Sequence, residues 1–94
     1  MAELRAAIDA LDARLVGLLA RRAGYIDRAV ELKTVTGWPA RIPSRVEEVV
    51  ARVRAAAEAE GLDPDLCEGL WRRLIDWSIA REARVLGDGN GDDP

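Results

Sequence analysis

Arg22 and Lys33 stand 11 residues apart on a stripe whose other members are apolar: Leu4, Ile8, Leu11, Leu15, Leu18, Arg22, Ile26, Ala29 and Lys33. The spacings are all three or four, the signature of one helix face. At ~100° per residue the two cations differ by only about 20° around the axis. Two cations on a buried stripe repel, and each is costly to bury without an anion between them. The alternative account is that each pairs with an internal Asp or Glu, or snorkels to water. Lys33 is also the only lysine, the other 13 cations being arginine. A compact ammonium is a different donor from a planar guanidinium.

The last segment is interrupted in the same way. Trp71, Leu74, Ile75, Ser78, Glu82 and Val85 read as one face, with Ser78 and Glu82 one turn apart inside an apolar stripe. They are either hydrogen-bonding groups that cap a pocket or structural partners for Arg81, Arg84 or Arg22. Arg45 follows Ser44 at the start of the middle segment, where free N–H groups and a positive dipole end already sit. A nearby anion explains an arginine there, and so does plain solvation. Arg5 lies 17 residues before Arg22, about 100° away around the axis, so it faces another surface. It is either an exposed first-turn arginine or a group that reaches into a second copy. Together these positions describe a helical cavity with three or four cations and two polar groups, suited to a small dianion. Chemistry there would rest on shape and charge.

Composition narrows the choice. The 94 residues contain no His and a single Cys, Cys67. That excludes disulfide frameworks, zinc sites and mechanisms built on a histidine base, and no cofactor or metal is expected. Lys and Arg number 14 against 17 Asp and Glu, a net charge of -3. This balance argues against nucleic acid or an anionic membrane as partner. No apolar run has transmembrane length and the charged N-terminus does not read as a signal peptide, so the cytoplasm is the expected compartment.

The elements that must position these residues are marked by Pro and Gly. Residues 2–36, 44–60 and 65–86 read as three helices, one long and two shorter, with no strand signal. Ser44 with Glu47 reads as a capping box, Gly61 as a C-terminal cap, Asp63 with Pro64 as an N-cap followed by a first-turn proline, and Gly87 as a second glycine stop. Residues 1–86 form the expected helical domain, and 87–94 an acidic, disordered tail. A helix of some 33 residues spans roughly 50 Å, longer than any core a chain of this size can build. It must extend beyond its own subunit, so the expected fold is all-α, an intertwined helical homodimer. Trp38 and Trp77 have no assigned role, Trp77 reading as packing.

The segment Leu4-Arg5-Ala6-Ala7-Ile8-Asp9-Ala10-Leu11-Asp12, the run Leu18-Leu19-Ala20-Arg21-Arg22 and the placing of Lys33 resemble chorismate mutases of the all-α, intertwined-dimer class. That group also includes isochorismate-pyruvate lyases of salicylate biosynthesis. The resemblance covers residues 3–86. It implies a dicarboxylate substrate, with Arg22 on one carboxylate and Arg5 of the partner subunit on the other. It implies that Lys33 donates to the ether oxygen of the breaking bond and that Arg45 closes over the pocket. Ser78 and Glu82 match pocket-facing positions on the last helix, where the family commonly carries a Gln beside the Lys.

Two departures stand out. A carboxylate at Glu82 assists only in its protonated form, which predicts acid-favoured turnover. Val46 follows Arg45 where many mutases place a Glu for the substrate's ring hydroxyl, and the lyases resemble this chain at Val46, Gly61-Leu62-Asp63 and Glu68-Gly69-Leu70. The resemblance thus implies a chorismate mutase, with three alternatives: an isochorismate-pyruvate lyase, a mutase of an amino-substituted chorismate, and a catalytically weak helical dimer module.

Overall fold

Glycine and proline divide the chain as the sequence predicts, and long Ala-, Leu- and Arg-rich runs of strong helix formers fill the spaces between them. The computed structural model describes residues 1–87. It contains α1 (Ala2–Thr36), α2 (Pro43–Ala59) and α3 (Pro64–Leu86), and no strand among the described residues. α2 packs on α3, and α3 packs on α1. The described chain is 56 Å long and 23 by 17 Å in section, its length set by α1.

The helix ends show which local signals act. Asp63 caps α3 by accepting from the Asp65 N–H at 2.9 Å, with Pro64 in the first turn. Gly61, at φ +73°, closes α2 with paired reversed bonds, from Gly61 N to Glu58 O and from Leu62 N to Ala57 O. Gly37, at φ +79°, ends α1, and its N–H donates to the Lys33 carbonyl. Gly87 also has a positive φ but an extended ψ of -160°, so it stops α3 in another way. The capping box at Ser44 does not form. Pro43 takes the first helical position, with Ile42 as the capping residue and no side-chain cap bond. Proline's preset φ and missing N–H suit it to that place. Glu47 instead receives a two-pronged contact from Arg72, at 3.1 and 3.2 Å. The expected tail beyond Gly87 lies outside the described residues.

The core is small. Val30, Ala40, Val50, Ala57, Cys67 and Ile75 are its buried apolar members, joined by buried Ser78 and Glu82. The apolar stripe of α1 is not buried along its length. Every residue from Met1 to Arg21 is exposed, and Leu4, Ile8, Leu11, Leu15 and Leu18 are each about half exposed. On α3, Leu66, Leu70 and Trp77 form a second uncovered stripe. Val85, read as part of the inner face, is exposed in the last turn, where none of the described residues covers it.

Candidate active site

The second half of α1, the start of α2 and the middle of α3 enclose a cavity of about 540 Å³. Six of the seven residues singled out in the sequence line it: Arg22 and Lys33 from α1, Arg45 and Val46 from α2, Ser78 and Glu82 from α3. Arg5 does not. It stands near the start of α1, some 25 Å along the axis from Arg22, exposed to solvent.

α1 and α3 meet through their polar interruptions. Lys33 Nζ donates to Glu82 Oε1 at 2.7 Å and to the Ala40 carbonyl at 2.9 Å. The side chains of this ion pair are only 15% and 6% exposed, so the pair is desolvated. Glu82 is therefore held by Lys33, and not by Arg81, Arg84 or Arg22. Arg22 Nη1 donates to Ser78 Oγ at 3.1 Å. Neither seam cation snorkels to bulk water. The cations stand roughly 16 Å apart along α1, while their acceptors are one turn apart, roughly 6 Å along α3. Long flexible stems from α1 thus converge on two short groups of α3.

The electrostatics are unbalanced in favour of an anion. Lys33 has its carboxylate, but Arg22 has a neutral hydroxyl. Burial first, and then the charge of Arg45, hold the Arg22 guanidinium below its ordinary value. Arg45 lies at the opening with its Nη1 donating to Glu48 Oε1 at 2.7 Å on the exposed side of α2. A ligand carboxylate would relieve Arg22 and could draw Arg45 from Glu48. The remaining wall is apolar, with Ile26, Val46, Val49, Ile75 and Ile79, so dipolar solvent competes weakly for the cations. An ammonium has three N–H donors, and two of those on Lys33 are committed. The third is available to a ligand.

Three contributors were not foreseen. Trp38 and Tyr25 line the cavity while remaining 59% and 70% exposed, so they form its rim. Tyr25 follows Arg22 by three residues, a spacing that could have flagged it. The Ala40 carbonyl that orients Lys33 is a backbone group in the α1–α2 connection, and side-chain patterning carries no signal for it. Beside the cavity, Arg81 pairs with Asp27 through two bonds of 2.6 and 2.9 Å. Among the described residues no helix is long and apolar enough to cross a membrane.

Known proteins share this arrangement of sequence. The chain is 38% identical over 79 residues to a T-protein of Enterobacter agglomerans, covering 84% of this chain and 21% of that protein. It therefore spans about a fifth of the length of that relative. It is 35% identical over 85 residues to the isochorismate pyruvate lyase of Pseudomonas aeruginosa, covering 89% of this chain and 82% of the lyase. It is 26% identical over 86 residues to a chorismate mutase of Methanocaldococcus jannaschii, covering 92% and 87%. Residues 4–83 match the profile of the family described as chorismate mutase type II. With nearly the whole helical region matched and the seam cations gathered in one cavity, the chain belongs to the chorismate mutase type II family.

Proposed function

We propose that this chain rearranges chorismate to prephenate, and that it does so by holding a dianion in shape and stabilising charge on the ether oxygen. The observation that carries the reading is the convergence of Arg22 and Lys33 on Ser78 and Glu82 inside an otherwise apolar cavity. The rearrangement is intramolecular and pericyclic, so it requires neither a nucleophile nor a proton carrier. Arg22, held by Ser78, binds one carboxylate. The free N–H of Lys33 donates to the ether oxygen as negative charge builds there. Arg45 leaves Glu48 and closes on the ligand. Val46, Val49 and Ile79 press the ligand into its compact, chair-like conformer. An acceleration of ~10⁶ corresponds to roughly 8 kcal/mol. One preorganised donor such as Lys33 supplies about 3–4 kcal/mol of this, and conformational restriction the remainder.

The site is completed by a second copy. The stripe Leu4, Ile8, Leu11, Leu15 and Leu18 is half exposed along its whole length, and full burial of such side chains stabilises by ~1.5–3 kcal/mol each. In an antiparallel, intertwined homodimer, α1 of one subunit covers this stripe of the other. Arg5 then enters the partner's cavity and binds the second carboxylate, a role its distance from its own cavity leaves open.

Val46 supports a second reading. It puts an aliphatic wall where a hydroxyl acceptor would favour chorismate, and the similarity to the Pseudomonas lyase runs through most of that protein. Isochorismate pyruvate cleavage is thus the competing activity of the same cavity. The deciding experiment offers chorismate and isochorismate side by side at two pH values. The mutase reading expects prephenate from chorismate at the higher kcat/KM. Salicylate and pyruvate formed from isochorismate at a much higher rate transfer the assignment to the lyase, and turnover of neither removes both.

A further inference from the structure

A second cavity, of about 380 Å³, lies on the outer side of the α1–α2 connection. Trp38, Pro39, Arg41, Ile42 and Pro43 line it, so its walls are an indole, two proline rings and an aliphatic chain, with one guanidinium as the only charge. Among the described residues no acid lines it. Arg41 Nη2 reaches Asp76 Oδ1 only at 3.4 Å, and both side chains are exposed. So long and solvated a pair holds Arg41 weakly. Flat apolar walls stack a planar ring, and a guanidinium offers two parallel N–H bonds to a carboxylate. The volume lies within the range of small-molecule sites. The chemistry that fits is a small aromatic ring bearing one carboxylate. In the antiparallel dimer proposed above, the partner's helix covers the stripe from Leu4 to Leu18. The connection begins roughly 28 Å further along α1, clear of that contact.

The same connection holds Lys33. The N–H groups of Gly37 and Trp38 donate to the Lys33 carbonyl at 2.8 and 3.2 Å, and Lys33 Nζ donates to the Ala40 carbonyl at 2.9 Å. Trp38 and Ile42 line both cavities, which lie on either side of them. An indole turned onto an occupant of the outer cavity withdraws from the rim of the inner one. We propose that the outer cavity is an effector site for a small aromatic carboxylate, and that its occupant weakens ligand binding in the inner cavity through Trp38 and the connection. Each ligand then lowers the affinity of the other by the same factor, since such coupling is reciprocal. The coupling rests on the reading of the inner cavity as the catalytic centre, and the outer site itself does not.

The test uses the full chain, with phenylacetate as the outer ligand and a rigid bicyclic ether dicarboxylate as the inner one. Calorimetric titration is expected to give a phenylacetate Kd below about 5 mM, and weaker binding overturns the proposal. Arg41→Gln and Trp38→Ala are each expected to raise that Kd at least fivefold, and Arg22→Ala less than fivefold. A smaller rise in Arg41→Gln or Trp38→Ala overturns the proposal. So does a rise of fivefold or more in Arg22→Ala, which places phenylacetate in the inner cavity. Should Arg41→Gln fail to fold, Trp38→Ala and Arg22→Ala decide by the same thresholds. The dicarboxylate Kd is expected to rise at least threefold as phenylacetate is added and then to level off. A rise without limit marks competition for one cavity, and a rise below threefold marks two uncoupled sites; both overturn the proposal. Wild-type protein that neither binds the dicarboxylate nor turns over chorismate or isochorismate overturns the functional reading and the coupling with it. The phenylacetate titrations then decide the outer site by themselves.

Discussion

Replacing Glu82 by Gln removes one negative charge from the cavity and leaves an oxygen within reach of Lys33. In the free protein Glu82 accepts from Lys33 at 2.7 Å with its side chain 6% exposed. A substrate carboxylate bound by Arg22 sits beside Ser78, one helical turn or roughly 6 Å from Glu82. At an effective dielectric near 20, two negative charges at that distance repel by about 3 kcal/mol, a factor of roughly 10² in binding. Lys33 between them offsets part of this, so we expect Glu82→Gln to exceed wild type by 10- to 100-fold in kcat/KM near pH 8. Exchanging a charge-assisted bond for a neutral one costs ~1 kcal/mol, a shift of a few degrees in thermal midpoint that leaves the variant folded. Initial rates of chorismate consumption at that pH, followed by loss of the diene absorbance, measure the gain. A Glu82→Gln chain no faster than wild type refutes the reasoning.

Lys33→Ala should lower kcat by about 10²–10³, since the donor to the ether oxygen is lost, and an unchanged kcat removes the assignment. The same change strips Glu82 and the Ala40 carbonyl of their donor, so the thermal midpoint should fall by several degrees in a calorimetric scan. Mixing Arg5→Ala chains with Lys33→Ala chains should restore activity, because each mixed dimer holds one cavity with neither lesion. Failure to recover places Arg5 outside the partner's site. Hydrogen bonds from arginines hold Asp27, Glu48 and Glu68 below the ordinary carboxyl range. The unfolded chain then binds more protons than the folded one as acid is added. Stability should be held above about pH 5 and lost as pH falls through about 4 and below, read from helix melting by circular dichroism. A midpoint independent of pH across that window contradicts the pairing.

What could be read in the sequence was what depends on local rules. Asp63, Pro64, Gly37 and Gly61 act on neighbouring backbone, and they mark the ends of helices where the structure has them. The start of α2 was misread because two rules competed, and a proline that can only begin a helix prevailed over a Ser–Glu pair that can form elsewhere. Periodicity placed Arg22, Lys33, Ser78 and Glu82 on inward faces, since a polar residue on an apolar stripe needs a partner. It could not say which partner. Arg81 finds Asp27 across 54 residues of chain, and Lys33 finds a carbonyl in a connection, because these pairings follow from how the helices cross. The exposure of the first 21 residues was legible from length and not from pattern, for the stripe there has the same spacing as the part that is covered, while the helix outruns any core this chain can build.

On the proposed reading, the mismatch between the two helices is what suits the cavity to a compact dianion. Eleven residues separate Arg22 from Lys33, so straight side chains would present their charges some 16 Å apart, too far for one small molecule. α3 draws them in by offering acceptors only four residues apart, and the choice of acceptor fixes the sign of each half of the site. Ser78 orients Arg22 without neutralising it, which leaves that end avid for a carboxylate. Glu82 neutralises Lys33, which leaves that end nearly uncharged. A second carboxylate seated against Glu82 would be repelled. The second carboxylate of a substrate must therefore point to the open side of the cavity, toward Arg45 and toward whatever covers the exposed half of α1.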